Sequence, residues 1–486
     1  MGWCTVLSNS KSNGFIGKFL LYVPVKLLPA FLTVFFIFFL YRFFPGNEYV
    51  AYSVSVSCSL IVAQLSAMWV GNSYVYYYSG VTDKRSFLSS CLYLVLIISP
   101  FAALVAAIIA SFFSSVADTF FCVALLCFTQ MLFFFMSSVC QAAFLVRQQL
   151  MAVLAQLLVQ LGVIYFCYQS GSVSYRDAMI ALSGGYGAAA AVMLSAVVMG
   201  EGLNGPWKAS TVLWRDIRSV YNYGAALMPW MLGMLLMLAV DRFSVGYLGL
   251  SGGESYLSMK DLFVGVGGLV SMPLLMLVHP LIMKRFREGA FDGALIHSSI
   301  GFLIIVFTLL WAVIEFVGFA VFEYFTGKPI VAPMGVLIIA YLGVFLNCAA
   351  VYVQKRLEVH RRLRLLAITA IFAAVLSAVF SFLGGLLFGL YGVALGVVVG
   401  QFAYFAIVST TIVRKVDWYE GCVKPLLVAV MAIIVGYLLR VLIDVPLSSA
   451  AWWVKAAVWT LLFSLFSLVL MWKAISWKDF INAKLN

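Results

Sequence analysis

Apolar runs about 20 residues long recur along this chain from Lys18 to about residue 472, and that spacing limits its fold more tightly than any motif does. A helical run of this length matches the hydrocarbon thickness of a bilayer. Backbone amides in lipid find no water, so each crossing segment has to satisfy its own hydrogen bonds. Helices do this, and the runs are far too long for barrel strands. Composition excludes the soluble alternative: 64% of the 486 residues are hydrophobic and 10% are charged, whereas a soluble domain carries about a quarter charged residues.

Fourteen spans are expected, at roughly 18–41, 49–71, 86–113, 119–145, 149–168, 177–200, 221–247, 255–283, 294–322, 330–354, 363–385, 390–413, 424–443 and 450–472. Charge placement tests the count. Of the 30 lysines and arginines, five (Arg42, Arg176, Lys328, Arg440, Lys455) fall on one set of alternate loops, and three (Lys26, Arg242, Lys260) fall inside spans. The other 22 lie in the terminal segments and the loops on the same side as the N-terminus. By the positive-inside rule that side is the cytoplasm, so both termini are expected there. One missed or invented span in mid-chain would invert the pattern downstream. The nine cysteines show no paired metal-ligand spacing, and most read as small apolar packers.

Residues 17–46 and 217–246 align without gaps at an offset of 200. Pro29 and Pro229, Arg42 and Arg242, Phe43 and Phe243, and Gly46 and Gly246 coincide, as do two leucine pairs. The first and seventh spans are thus read as equivalent. Six spans per unit is an even number, which gives two units of the same orientation and predicts a parallel repeat of the kind that builds two-lobed transporters. The expected fold is all-α and polytopic: an N-lobe over 1–200, a cytoplasmic linker over 201–220, a C-lobe over 221–415, and a final pair of helices with a tail over 416–486. All loops are short, and no phosphate-binding loop, zinc-protease motif or nucleophile elbow is present. An enzyme is therefore not expected, and neither is a voltage sensor or a carbonyl-lined filter. Passive or secondary transport remains.

The stretch LYRFFPGNEYVAYSVSVSCSLIVAQLSAMWVGNSYVYYYSG resembles the first hairpin of polysaccharide flippases. YGAALMPWMLGMLLMLAVDRFSVGYLG, followed by SYLSMKDL and HPLIMKRFREG, resembles their seventh and eighth helices, with Pro229, Asp241, Arg242, Tyr256, Lys260 and Pro280 carrying the likeness. The chain is thus similar to Wzx-type O-antigen or capsule repeat-unit flippases of the multidrug/oligosaccharidyl-lipid/polysaccharide exporter superfamily. That resemblance implies alternating-access movement of undecaprenyl-diphosphate-linked oligosaccharide across a bacterial inner membrane. It also implies membrane lipids, a polysaccharide polymerase and chain-length machinery as candidate partners. Nucleic acid is not implied. A multidrug exporter and a lipid II exporter of the same superfamily are the alternatives.

Such a cargo needs cations for its phosphates and polar or aromatic surface for its sugars. Charges inside spans cost about 2.5–3.5 kcal/mol each on insertion scales, so those retained are functional candidates. The substrate-binding set is Lys26, Lys260, Arg242, Tyr22 and Trp230. Lys26, between Pro24 and Pro29, is the leading pyrophosphate contact; the competing reading is a lysine snorkelling to headgroups. The resemblance places a basic residue at Lys260. Arg42, Asp241, Asp261 and Glu315 form the gating and coupling set. Arg42 and Arg242 lie at equivalent outer ends, suited to a gate with Asp241 or to interfacial anchoring. Asp261 neutralises Lys260 or belongs to another face. Glu315 is the candidate for proton or sodium coupling, and no other cofactor is expected. Trp69, Tyr74 and Tyr256 join Tyr22 and Trp230 as sugar-stacking candidates, although interfacial belts also collect such rings. His279 reads as interfacial.

Overall fold

In the computed structural model every element of regular structure among the described residues is helical. The description covers residues 28–410, less 30, 45–47, 115, 117, 170–172, 201–213, 288–293 and 361, together with scattered positions between 427 and 462. In chain order the helices are α1 (Phe31–Phe43), α2 (Glu48–Tyr77), α3 (Lys84–Phe113), α4 (Thr119–Ala142), α5 (Val146–Gln169), α6 (Tyr175–Gly200), α7 (Trp214–Gly224) and α8 (Met228–Leu248). They continue as α9 (Gly253–Arg287), α10 (Ala294–Val313), a π-helical turn Ile314–Gly318, α11 (Phe319–Thr326), α12 (Met334–Val359), α13 (Leu363–Phe388) and α14 (Leu390–Thr410).

Among the described residues, 11 helical segments are long and apolar enough to cross a membrane, with α10, the π turn and α11 counting as one. They correspond one for one to the second through twelfth expected spans. α1 is the described part of the first, while the spans at 424–443 and 450–472 lie, apart from scattered positions, outside the described residues. Most ends differ from the expected ones by a few residues, and the start of the seventh crossing differs most. The seventh crossing begins at Met228, and the residues before it form a separate short helix, α7. Local chemistry sets several helix starts. The Asp83 carboxylate accepts the Ser86 N–H at 3.1 Å to cap α3. At α6, Ser174 and Asp177 bond reciprocally, the carboxylate accepting at 2.9 and 2.7 Å and the Ser174 hydroxyl accepting the Asp177 N–H, an arrangement that meets two of the unpaired donors of a first turn.

The chain divides into two compact units, Met1–Ser258 with Ala370–Ala374, and Met259–Thr369 with Val375–Asn486. In the first, α2, α3, α4 and α6 bury Val95, Ala106, Met131, Phe135, Val139 and Met193. The same interior holds Ser53, Ser55, Ser57, Ser59 and Gln130, whereas Phe101, Phe112, Phe121, Leu158 and Phe166 face outward. Apolar rings outside and hydroxyls inside suit a lipid environment, where helix association relies on close packing and interhelical hydrogen bonds. α7 lies across one end of this unit. Ser73 donates to the Val220 carbonyl at 2.9 Å. Gly224 lets the Trp69 ring approach so closely that a Cβ there would sit 2.5 Å from it. Lys84, Arg85, Arg215 and Arg218 therefore share one end, and Glu48, Asp118 and Arg176 share the other, where Arg176 pairs with Asp118 at 3.5 Å.

In the second unit, Tyr341 donates to the Phe307 carbonyl at 2.6 Å and packs against Phe263 and Trp311. Tyr352 donates to the Ser271 carbonyl at 2.6 Å and Tyr404 to Gln354 at 2.8 Å, tying α12 to α9 and α14.

Candidate functional site

Charged groups inside an apolar lobe need partners, because an unsatisfied buried polar group costs more than a hydrogen bond returns. α8 carries Asp241 and Arg242 near its C-terminal end. Asp241 is fully buried and accepts the Tyr256 O–H at 2.8 Å, and its second oxygen accepts the Arg242 N–H at 3.0 Å. The Arg242 guanidinium reaches across to the Ser57 hydroxyl of α2 at 2.5 Å, and Ser57 donates in turn to the Ser53 carbonyl at 2.7 Å. On the next turns of α2, Ser55 accepts the Tyr175 O–H at 2.8 Å, and Glu48 accepts the Tyr175 N–H at 3.0 Å. Polar contacts thus run from the start of α9 through α8 and α2 to the start of α6, all at one end of the first unit. Tyr256→Phe removes the donor to Asp241 without changing the ring. We expect it to destabilise the protein by about 1–3 kcal/mol, the usual cost of stranding a buried acceptor. Thermal unfolding of the detergent-purified protein measures this, and an unchanged transition would show that the contact is dispensable.

The second unit holds the remaining charges. Lys260, on α9, is 3% exposed, and the neighbouring Asp261 is half-buried. Consecutive helical residues point about 100° apart, so the two side chains leave α9 in different directions. Glu315 sits in the π turn and accepts the Trp311 indole N–H at 2.9 Å. π turns inside longer helices are common at functional sites.

The other expected residues are spread more widely. Lys26 and Tyr22 lie outside the described residues. Arg42 is exposed at the end of α1, with its guanidinium 5.6 Å from the ring centre of Phe43. Trp230 is half-buried in the first turn of α8. Trp69 and Tyr74 are core residues of the first unit, Tyr74 stacking on Phe87 at 5.2 Å. Asp241, Arg242 and Tyr256 are brought together.

Reading the sequence missed Ser57 as the partner of Arg242, because 185 positions separate them. It also missed a neutral polar cluster in mid-lobe. There Ser59 donates to Gln130 at 2.6 Å, and Tyr186 is hydrogen-bonded with Gln130 and Gln156. Gln156 and Gln160, one turn apart and both buried in an otherwise apolar span, were the available signal. Among the described residues, no group of three or more histidines, cysteines or carboxylates is placed to hold a metal ion.

No family model matches the chain, and no curated protein matches it in sequence. Solved structures do match. A lipid II flippase MurJ in an inward closed conformation superposes with a TM-score of 0.71, covering 96% of this chain and 100% of that one at 13% identity. A multidrug resistance MATE family transporter of the MOP superfamily, in an inward-facing conformation, gives a TM-score of 0.56 over 79% of this chain and 93% of that one at 14% identity. At these identities the likeness is one of fold: the chain shares a polytopic helical architecture with transporters of this superfamily.

Proposed function

We propose that the chain is a flippase that moves undecaprenyl-diphosphate-linked oligosaccharide, a repeat unit of O-antigen, capsule or exopolysaccharide, across a bacterial inner membrane by alternating access. The observation that carries this reading is Lys260, an ammonium buried within an apolar span of a fold shared over nearly the whole chain with a lipid II flippase. A diphosphate is the feature common to lipid II and lipid-linked repeat units, and a buried cation is the group that recognises it. In this reading the basic end of the first unit, with Lys84, Arg85, Arg215 and Arg218, faces the cytoplasm, in keeping with the positive-inside rule.

One observation favours a second reading. Asp241 is a fully buried carboxylate, the kind of group a carrier of cationic drugs requires, and the fold is also that of a multidrug transporter. Proteoliposomes containing the full-length protein separate the two. Fluorescent short-chain polyprenyl diphosphate disaccharide becoming accessible on the far leaflet supports the flippase. Accumulation of a cationic dye with no movement of that lipid supports the drug exporter and overturns the flippase reading.

A further inference from the structure

We propose that the basic end of the first unit carries a docking platform for the saccharide-diphosphate headgroup, built from the tyrosines of α2 and α7 and the arginines of α7; this rests on the lipid-linked glycan reading above. Three consecutive tyrosines, Tyr76, Tyr77 and Tyr78, close α2 and begin the 3-10 turn after it. α7 brings Tyr221 and Tyr223 against them. The Tyr76 and Tyr223 rings stack 4.3 Å apart and 16° from parallel. Tyr77 stands edge-on to both, at 4.9 and 6.1 Å. Tyr221 leans edge-on against the buried Trp69 at 6.1 Å, and the Lys84 ammonium sits 4.5 Å from the Tyr78 ring centre.

Interfacial aromatic belts consist of rings that individually anchor a helix at the headgroups. These rings are braced by one another, which makes a face of fixed orientation, and it is open: Tyr76 is 54% and Tyr221 57% exposed. A sugar presents an apolar C–H face with hydroxyls around its rim. Tyrosine supplies both an apolar ring and a polar tip, and Asn222, between Tyr221 and Tyr223 in sequence, is exposed.

The order of chemistries along α7 identifies the occupant. Val220 and Gly224, one turn apart, face the lobe. Trp214, Arg218 and Tyr221 fall at the i, i+4 and i+7 positions of a different stripe, with Trp214 81% exposed and Arg218 exposed. From Trp214 to Tyr221 is about 10 Å of helix. Along that stripe the surface passes from the apolar Trp214 to the cationic Arg218, with Arg215 and Asp216 interacting beside it, and then to the aromatic Tyr221. A lipid-linked saccharide has the same sequence of parts: hydrocarbon, diphosphate, sugar. Arginine is also the side chain best shaped to grip phosphate oxygens in pairs.

The test is equilibrium binding to the full-length protein in nanodiscs of zwitterionic lipid. The probes are a radiolabelled short-chain polyprenyl diphosphate bearing a disaccharide and the same diphosphate without sugar. Tyr76→Ala with Tyr223→Ala should weaken the sugar-bearing probe about tenfold, as expected for losing two aromatic contacts, and leave the sugar-free probe within about twofold. Tyr76→Phe with Tyr223→Phe keeps the rings and should hold the sugar-bearing probe within about threefold, while Arg215→Gln with Arg218→Gln should weaken both probes. If the alanine pair binds the sugar-bearing probe as tightly as wild type, or loses both probes equally, the platform is overturned and the flippase reading stands. Complete displacement of both probes by phosphatidylglycerol likewise overturns the platform, because the surface is then a headgroup belt. If wild-type protein binds neither probe, the lipid-linked glycan reading itself fails.

Discussion

Replacing Lys260 with glutamine is expected to slow transport of a diphosphate-linked lipid about ten- to a hundredfold while leaving the yield of folded protein unchanged. A charge-assisted hydrogen bond is worth about 1.5–3 kcal/mol, and each 1.4 kcal/mol is a factor of about ten. Glutamine keeps a polar N–H donor, one atom nearer the backbone, and removes the charge. A second substitution tests the charge itself. Lys260 is almost wholly buried in an apolar span, so Lys260→Arg, which keeps a cation at that place, is expected to retain more transport than Lys260→Gln if the charge is what the substrate needs. Transport by Lys260→Gln within about twofold of wild type, measured in proteoliposomes with the short-chain probe, would refute the assignment.

The second large effect is architectural. Gly392→Leu is expected to abolish recovery of monodisperse protein. α13 and α14 turn back on each other at Gly389, which adopts a φ of +60°. Their backbones then meet: a Cβ on Gly392 would fall onto the Gly384 carbonyl, and Ser381 donates to the Val393 carbonyl at 3.1 Å. In lipid such close approach replaces the hydrophobic drive that water would supply. A branched side chain here must separate the two helices along much of their length, a penalty beyond the 4–5 kcal/mol that marks exceptional point mutations. Gly162→Ala is the matched control. Gly162 lies on the exposed side of α5 with open space around its Cβ position, so alanine there should be neutral or stabilising. Size-exclusion profiles of the two variants decide the matter. A normal profile for Gly392→Leu would show that the hairpin is more yielding than its contacts indicate.

The crossings were legible because lipid imposes a length and an apolar composition on each segment independently. The fourth starts at Thr119 and the eleventh at Leu363, as expected. α7 was not legible as a separate element, since Tyr221, Tyr223 and the residues after Gly224 continue one apolar run into α8. Its separation depends on how Val220 and Gly224 seat against α2, which is a tertiary matter. Asp241 and Arg242 stood out as charges in an apolar span, and Tyr256 as a candidate ring for stacking on sugar, but the bond from Tyr256 to Asp241 and the role of Ser57 did not, because both are set by how the helices pack. The stacking of Tyr76 on Tyr223 joins segments nearly 150 residues apart. Local sequence does not encode that distance.

The π turn at Ile314–Gly318 makes the crossing from Leu295 to Thr326 the one described span that accommodates a surplus residue. An α-helix that loses a residue rotates everything beyond it by about 100°, which would turn the lipid-facing side of most spans toward the lobe. Deleting one residue between 314 and 318 instead lets the wide turn relax to ordinary helical geometry and leaves the flanking faces where they were. Length variation among relatives of this chain should therefore gather at this turn. A single-residue deletion scan through 295–326 should find its tolerated positions there, at the place where Glu315 is held.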